Sequence, residues 1–142
     1  MNLDRAIALA SQAHSGQVDK AGAPYILHPL RVMMAMGDDD SRVVAILHDV
    51  VEDSDITLDD LHAEGFPALV VDAVDALTRR QGEAYEAFIL RVGQNNIARS
   101  VKIADLRDNL DVSRFSGVEL DTGHFDRIKR YSSALQVLLG KS

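Results

Sequence analysis

The sequence predicts an all-α fold, a single-domain helical bundle. Three observations carry that expectation. Apolar residues recur at helical spacing along nearly the whole chain, no stretch shows the strict alternation of a half-buried strand, and glycine falls at the ends of apolar runs rather than in a linker. A chain of 142 residues suits one compact domain over 1–142.

Leu3, Ala6, Ile7 and Ala10 share a face and predict a first helix over about residues 2–14. Gly16, Gly22 and Pro24 mark the following stretch, SGQVDKAGAPYI, as a loop. His28-Pro29 opens a second helix, since proline is tolerated in a first turn, and Gly37 ends the run LRVMMAM, whose Met33, Met34 and Met36 read as core filler. The acidic run Asp38-Asp39-Asp40 reads as a loop and helix N-terminus, where the helix dipole favours negative charge. Ser41 is the expected N-cap of a third helix, SRVVAILHDVVED, over 41–53. Its Val43, Val44, Ala45, Ile46, Leu47, Val50 and Val51 point all around the axis, the pattern of a buried helix.

Thr57 with Asp60 forms a capping box for a short helix ending at Gly65, and Pro67 starts another that runs through Leu77. Residues 83–92 form a further helix, and Asn95 or Asn96 caps a long one through about Val112. The last spans 122–139, with Phe125, Ile128, Leu135 and Leu138 on one side, for about six to eight helices in all.

Composition narrows the function. No apolar run approaches the roughly 18–20 residues of a spanning helix, which argues against a membrane protein. The early Asp4, with no basic region ahead of a long apolar stretch, argues against a secretory signal. The absence of cysteine excludes a disulfide framework, a thiolate zinc site and a cysteine nucleophile, and fits a cytoplasmic protein. With 15 basic and 22 acidic residues the net charge is −7, which disfavours duplex nucleic acid as a partner. A small phosphorylated ligand stays open, provided that a metal ion or a few placed lysines reverse the local field.

The third helix carries the chemistry. An apolar helix ends in His48, Asp49, Glu52 and Asp53, and burying one unpaired charge costs roughly several kcal/mol. Glu52 is i+4 from His48 and i+3 from Asp49, and Asp53 is i+4 from Asp49, so a continuous helix puts all four on one face. Three acids around a neutral imidazole repel one another unless a cation sits among them. Nitrogen and oxygen donors without thiolate suit Mn, Fe or Zn.

Neighbouring residues alone do not complete a site. His28, at the mouth of the second helix, is a further candidate imidazole. Asp105 is a further candidate carboxylate, in SVKIADLRDNL, where Lys102, Asp105 and Asn109 share one face among Val101, Ile103, Ala104, Leu106 and Leu110. His14 reads as a packing and hydrogen-bonding residue beside the loop, and His62 and His124 as solvated surface residues.

The segments AHSGQVDKAGAPYILHPL, AILHDVVEDS and SVKIADLRDN, in that order, resemble an HD-domain phosphohydrolase. More narrowly, they resemble the hydrolase domain of the RelA/SpoT-type alarmone enzymes, especially the small stand-alone hydrolases. The resemblance implies an HD-type helical fold in which His28, His48, Asp49 and Asp105 hold a divalent metal, typically Mn²⁺. It implies that Glu52 and Asp53 handle the attacking water, and that the reaction removes the 3′-pyrophosphate of (p)ppGpp to give GDP or GTP. Lys20, Lys102 and Asn109 are the expected donors to the phosphoryl charge. The length leaves no room for the synthetase domain of the bifunctional enzymes, so the expected activity is hydrolysis alone.

The chain also departs from the family. Asp19-Lys20 stands where an Arg-Lys pair is usual, and that arginine helps cradle the guanine base. Ala21 and Ala23 replace a small hydroxyl residue and a glutamate. ADLRDN stands for the usual ADRLHN, placing Leu106 and Asp108 where the family has Arg and His, and Val112 replaces a frequent hydroxyl residue. The metal and water-handling residues are kept while the base-binding shell is altered. Two alternatives follow: a phosphatase of another phosphorylated nucleotide or metabolite such as NADPH, and a nucleotide sensor without turnover.

Overall fold

A computed structural model describes residues 2–115 and 122–140. In chain order the described helices are α1 (Asn2–Ala13), α2 (Leu27–Met34), α3 (Asp39–Leu47), α4 (Val50–Asp53), α5 (Leu58–Ala63), α6 (Ala68–Ala76), α7 (Tyr85–Val92), α8 (Asn96–Leu110) and α9 (Thr122–Leu138), with a 3-10 turn at Val112–Phe115. The all-α expectation holds among the described residues, where the sole strand-like pairing is an isolated bridge between Val18 and Pro24.

Helix α3 is the axis of the bundle. Val44 through Leu47 are fully buried, as the all-round apolar pattern requires, and α1, α2, α6 and α8 pack around them. Helix α9 closes the far side against α7 and α8. Its buried residues are Ala134 and Leu138, whereas Phe125, expected on the same side as Leu138, is exposed. Met34 is exposed too, and Met33 does the core filling on α2. No helix among the described residues is long and apolar enough to cross a membrane.

The capping chemistry mostly follows the sequence. Thr57 and Asp60 exchange the two bonds of a capping box at α5, and Asn95 caps α8 by accepting from the Ala98 amide at 2.9 Å. Gly65, at φ +94, takes the left-handed turn after α5 that other residues resist. At α3 the cap is Asp38 rather than Ser41. Its extended backbone lets the carboxylate accept from the Ser41 amide and hydroxyl, both at 2.9 Å. The long helix stops at Leu110, before Val112, because Asp111 turns extended and accepts from the Ser113 amide and hydroxyl instead.

The main correction concerns the third helix. It does not run unbroken over 41–53: α3 ends at Leu47, His48 and Asp49 form a turn, and α4 restarts at Val50. Asp49 sits at φ −105 and ψ 0, between the helical and extended regions. The cause is local. The His48 ring donates from Nδ1 to the Ala45 carbonyl at 2.6 Å, while the His48 amide reaches the same oxygen only at 3.5 Å.

Candidate active site

The break in the helix aims two side chains differently from a continuous helix. With Nδ1 committed to a backbone carbonyl, His48 presents Nε2 inward, 3.1 Å from Asp49 Oδ2 and 3.4 Å from Asp105 Oδ1, aligned for a hydrogen bond with neither. His48 is 2% exposed, so this nitrogen is a buried polar atom lacking a hydrogen-bond partner. His28, in the first turn of α2, approaches from the other side, its ring 5.6 Å from that of His48. One ligand atom each from His28, His48 and Asp49 lies within 4.8 Å of the other two. Asp105, from the middle of α8, adjoins this set through a 2.7 Å hydrogen bond to His28 Nε2. Two imidazoles and two carboxylates around an orphaned nitrogen fit a divalent cation, and their N/O donor set suits Mn, Fe or Zn.

Electrostatics at the cluster follow from burial and proximity. Burial alone lowers the affinity of His48 and His28 for a proton, but neighbouring carboxylates overrule it: Asp49 and Asp105 raise His48, and Asp105 and Asp108 raise His28. Burial would likewise raise Asp105 and Asp49. The Lys102 charge and the imidazole contacts hold Asp105 well down, and the His48 charge with the Tyr25 hydrogen bond holds Asp49 down. The nearby carboxylates thus favour the protonated form of both imidazoles.

Glu52 and Asp53 lie at the end of α4, close to the cluster, but the restarted helix separates them. Glu52 Oε1 accepts from the Arg79 amide at 2.5 Å, tying α4 to the loop after α6. Asp53 is exposed, and its backbone carbonyl accepts from Gln17 Nε2 at 3.2 Å. Partial desolvation and the adjacent Asp49 charge push its carboxyl above the ordinary value. His14 is buried against the ring of Tyr25 and hydrogen-bonded to Gln17, the packing role expected of it.

A cleft of about 390 Å³ adjoins the cluster. Tyr25 and Asn109 belong to both: each lines the cleft, while the Tyr25 hydroxyl donates to Asp49 and Asn109 Nδ2 donates to Asp105 Oδ1 at 3.2 Å. Lys20, Arg127 and Tyr131 line it as well. So does His124, which is half-buried rather than a solvated surface residue; His62 is exposed as expected. Lys102 is not among the lining residues. Its ammonium lies 2.8 Å from Asp105 Oδ2 and over the Phe88 ring, mostly buried.

Asp19 also lines the cleft, but its carboxylate turns back on its own loop, with Oδ1 accepting from the Ala21 amide at 2.9 Å and the Ala23 amide at 3.0 Å. Gly22, at φ +87, completes that turn.

Sequence reasoning overlooked Tyr25 and the partnership of Arg31 with Asp108. Asp108 Oδ2 lies 2.6 Å from His28 Nδ1, and Arg31 donates to both of its oxygens, at 2.7 and 3.0 Å. Burial opposes the charge of Asp108, yet these hydrogen bonds hold its carboxyl well below the ordinary range. A signal was present: Arg31 is i+3 from His28 and Asp108 is i+3 from Asp105, which places each beside a site residue on its own helix face.

A helical bundle in which a histidine, a His-Asp pair and a distant aspartate meet defines a class of protein. The HD domain family model matches residues 6–110, and the chain belongs to the HD-domain family. Among the relatives, a guanosine-3′,5′-bis(diphosphate) 3′-pyrophosphohydrolase from Aquifex aeolicus is 31% identical over 120 residues, covering 76% of this chain and 17% of its own length. The enzyme of that name from Vibrio cholerae is also 31% identical, with the same coverage. A GTP pyrophosphokinase from Streptomyces coelicolor is 34% identical over 125 residues, covering 80% of this chain and 15% of its own length.

The chain thus spans about a sixth of the length of these relatives. A solved structure of a metazoan SpoT orthologue, described as hydrolysing ppGpp and acting in starvation responses, superposes with a TM-score of 0.75. It is 22% identical and covers 97% of this chain and 85% of its own. That likeness establishes the shared fold.

Proposed function

We propose that this chain, as one HD-type domain over 1–142, is a divalent-metal-dependent pyrophosphohydrolase that removes the 3′-pyrophosphate of (p)ppGpp, giving GDP or GTP and pyrophosphate. The observation that carries the reading is the orphaned, buried Nε2 of His48, facing Asp49, Asp105 and His28 beside a cleft with basic lining residues. Relatives named for this hydrolysis share the segment, which supports the choice of substrate.

In this reading His28, His48, Asp49 and Asp105 hold the metal, with Mn²⁺ the preferred ion. Bound by these four residues, a divalent cation would supply a water of lowered pKa and polarisation of the phosphoryl oxygen. Asp53, exposed beside the cluster with its carboxyl raised, accepts the proton of the attacking water. Glu52, fixed on the Arg79 amide, holds α4 and therefore Asp53 in place. Lys20 and Asn109, both facing the cleft, donate to the phosphate oxygens. Lys102 acts through Asp105, holding its carboxylate. A cytoplasmic setting belongs to the same reading, supported by the cysteine-free composition.

One observation favours a second reading, hydrolysis of another phosphorylated nucleotide such as NADPH. Asp19 directs its carboxylate into its own loop, so position 19 offers no guanidinium to a guanine base.

The test incubates the Mn²⁺-loaded protein with ppGpp and a nucleotide panel that includes NADPH, separating products by ion exchange. Pyrophosphate release from ppGpp faster than turnover of any other nucleotide supports the first reading. Faster turnover of another substrate supports the second, and no turnover of any, with metal bound, overturns both. Asp53→Asn should lose turnover while still binding Mn²⁺.

A further inference from the structure

We propose that Asp108, clamped by Arg31, is a positioning residue for His28: it fixes the ring so that Nε2 faces the metal centre and makes that nitrogen a stronger donor. The proposal rests on the metal-centre reading and goes beyond it, since Asp108 stands where the resemblance leads one to expect a histidine.

The geometry is specific. His28 and Arg31 are one turn apart on α2, and both reach across to Asp108 on α8. His28 Nδ1–H donates to Oδ2 at 2.6 Å, while Arg31 Nε and Nη2 donate to Oδ1 and Oδ2 at 2.7 and 3.0 Å. A carboxylate gripped on both oxygens by a planar fork cannot rotate freely, so its acceptor direction toward Nδ1 is set. His28 is buried, and with Nδ1 occupied its remaining nitrogen must point at Asp105, His48 and Asp49.

The two histidines are therefore supported differently. His48 donates from Nδ1 to the neutral carbonyl of Ala45, whereas His28 donates to an anion. An anionic acceptor on one ring nitrogen raises the electron density of the other, which strengthens its bond to a cation. Arg31, partly exposed at the outer end, neutralises the added charge, so Asp108 supports His28 without leaving a further unpaired carboxylate beside the cluster.

The test is a Mn²⁺ titration, followed by the electron paramagnetic resonance signal of the free ion, of the unaltered protein and of Asp108→Asn and Arg31→Met. Asparagine still accepts from Nδ1–H, so the first variant removes the charge and leaves the hydrogen bond. Its Kd for Mn²⁺ should rise by about 10–100-fold, and Arg31→Met should give a smaller rise. A second readout comes from the protein loaded with diamagnetic Zn²⁺. The proton on His28 Nδ1 should resonate far downfield, moving upfield in Asp108→Asn, a change that simple loosening of the fold does not produce.

An Asp108→Asn protein that binds Mn²⁺ as tightly as the unaltered one, with an unmoved Nδ1 proton, overturns the proposal and leaves the metal centre standing. An unaltered protein that binds no Mn²⁺ overturns the metal centre itself and the proposal with it.

Discussion

The hydroxyl of Tyr25 donates to Asp49 Oδ2, joining the loop ahead of α2 to the turn after α3. The bond ties the wall of the cleft to one carboxylate of the proposed metal centre, so a change at Tyr25 reaches the centre without altering any proposed ligand. Burial and the adjacent Asp49 charge together push the phenol far above its ordinary pKa, so it remains a donor at any physiological pH.

Tyr25→Phe removes that donor and leaves a half-buried carboxylate with one acceptor direction unfilled. The metal-free variant should lose about 1.5–3 kcal/mol of stability, the range for hydrogen bonds to charged groups. Urea unfolding measures this, and an unchanged midpoint would show that the bond contributes nothing.

Lys102→Met tests the charge balance. The mostly buried ammonium is paired with Asp105, and removing one partner of a buried ion pair costs about 3–5 kcal/mol. A divalent cation should replace much of the missing positive charge, so Mn²⁺ should raise the Tm of the variant more than that of the unaltered protein. Equal shifts in thermal unfolding would contradict this.

Metal binding should release protons. His28 and His48 both have raised affinity for a proton, and each must give one up at Nε2 before that nitrogen can bind a cation. Affinity should therefore climb as pH rises through and above the ordinary histidine range, then level off once both rings are neutral in the free protein. Calorimetric titration in buffers of different ionisation enthalpy counts the protons; a count of zero at pH 6 would refute the expectation.

Glu83, in the loop whose Arg79 amide holds Glu52, gives a further pH signature. Hydrogen bonds from Arg91 and the Arg80 amide lower its pKa from 4.5 to about 2. A lowered folded-state value means that its stabilising effect is fully present above the unfolded value and is lost as pH falls through the folded one. The Tm gap between the unaltered protein and Glu83→Gln should thus be widest at neutral pH and close between about pH 4.5 and 2. A gap that stays constant on acidification would rule this out.

Much of this molecule was legible in its sequence because helical periodicity and cap chemistry are local. The buried run from Val43 to Leu47, the capping box at Thr57 and the cap at Asn95 each depend on neighbours within a few residues. The meeting of His28, His48, Asp49 and Asp105 was foreseen from charge in apolar surroundings together with resemblance.

What the sequence hid has two physical origins. The interruption after Leu47 comes from a side chain competing for a backbone carbonyl, which periodicity does not register. The links from Tyr25 to Asp49 and from Asp108 to His28 join residues far apart in the chain, so their meaning depends on the packing of α2 and α8.

Position 19 sets a constraint for anyone redesigning substrate choice. Writing arginine there to place a base-stacking cation would delete the acceptor that both the Ala21 and Ala23 amides use, so any gain in recognition would come with two lost hydrogen bonds in that turn. A retargeted site must graft the whole segment 19–24 or carry its new cation on α9, which already lines the cleft with Arg127.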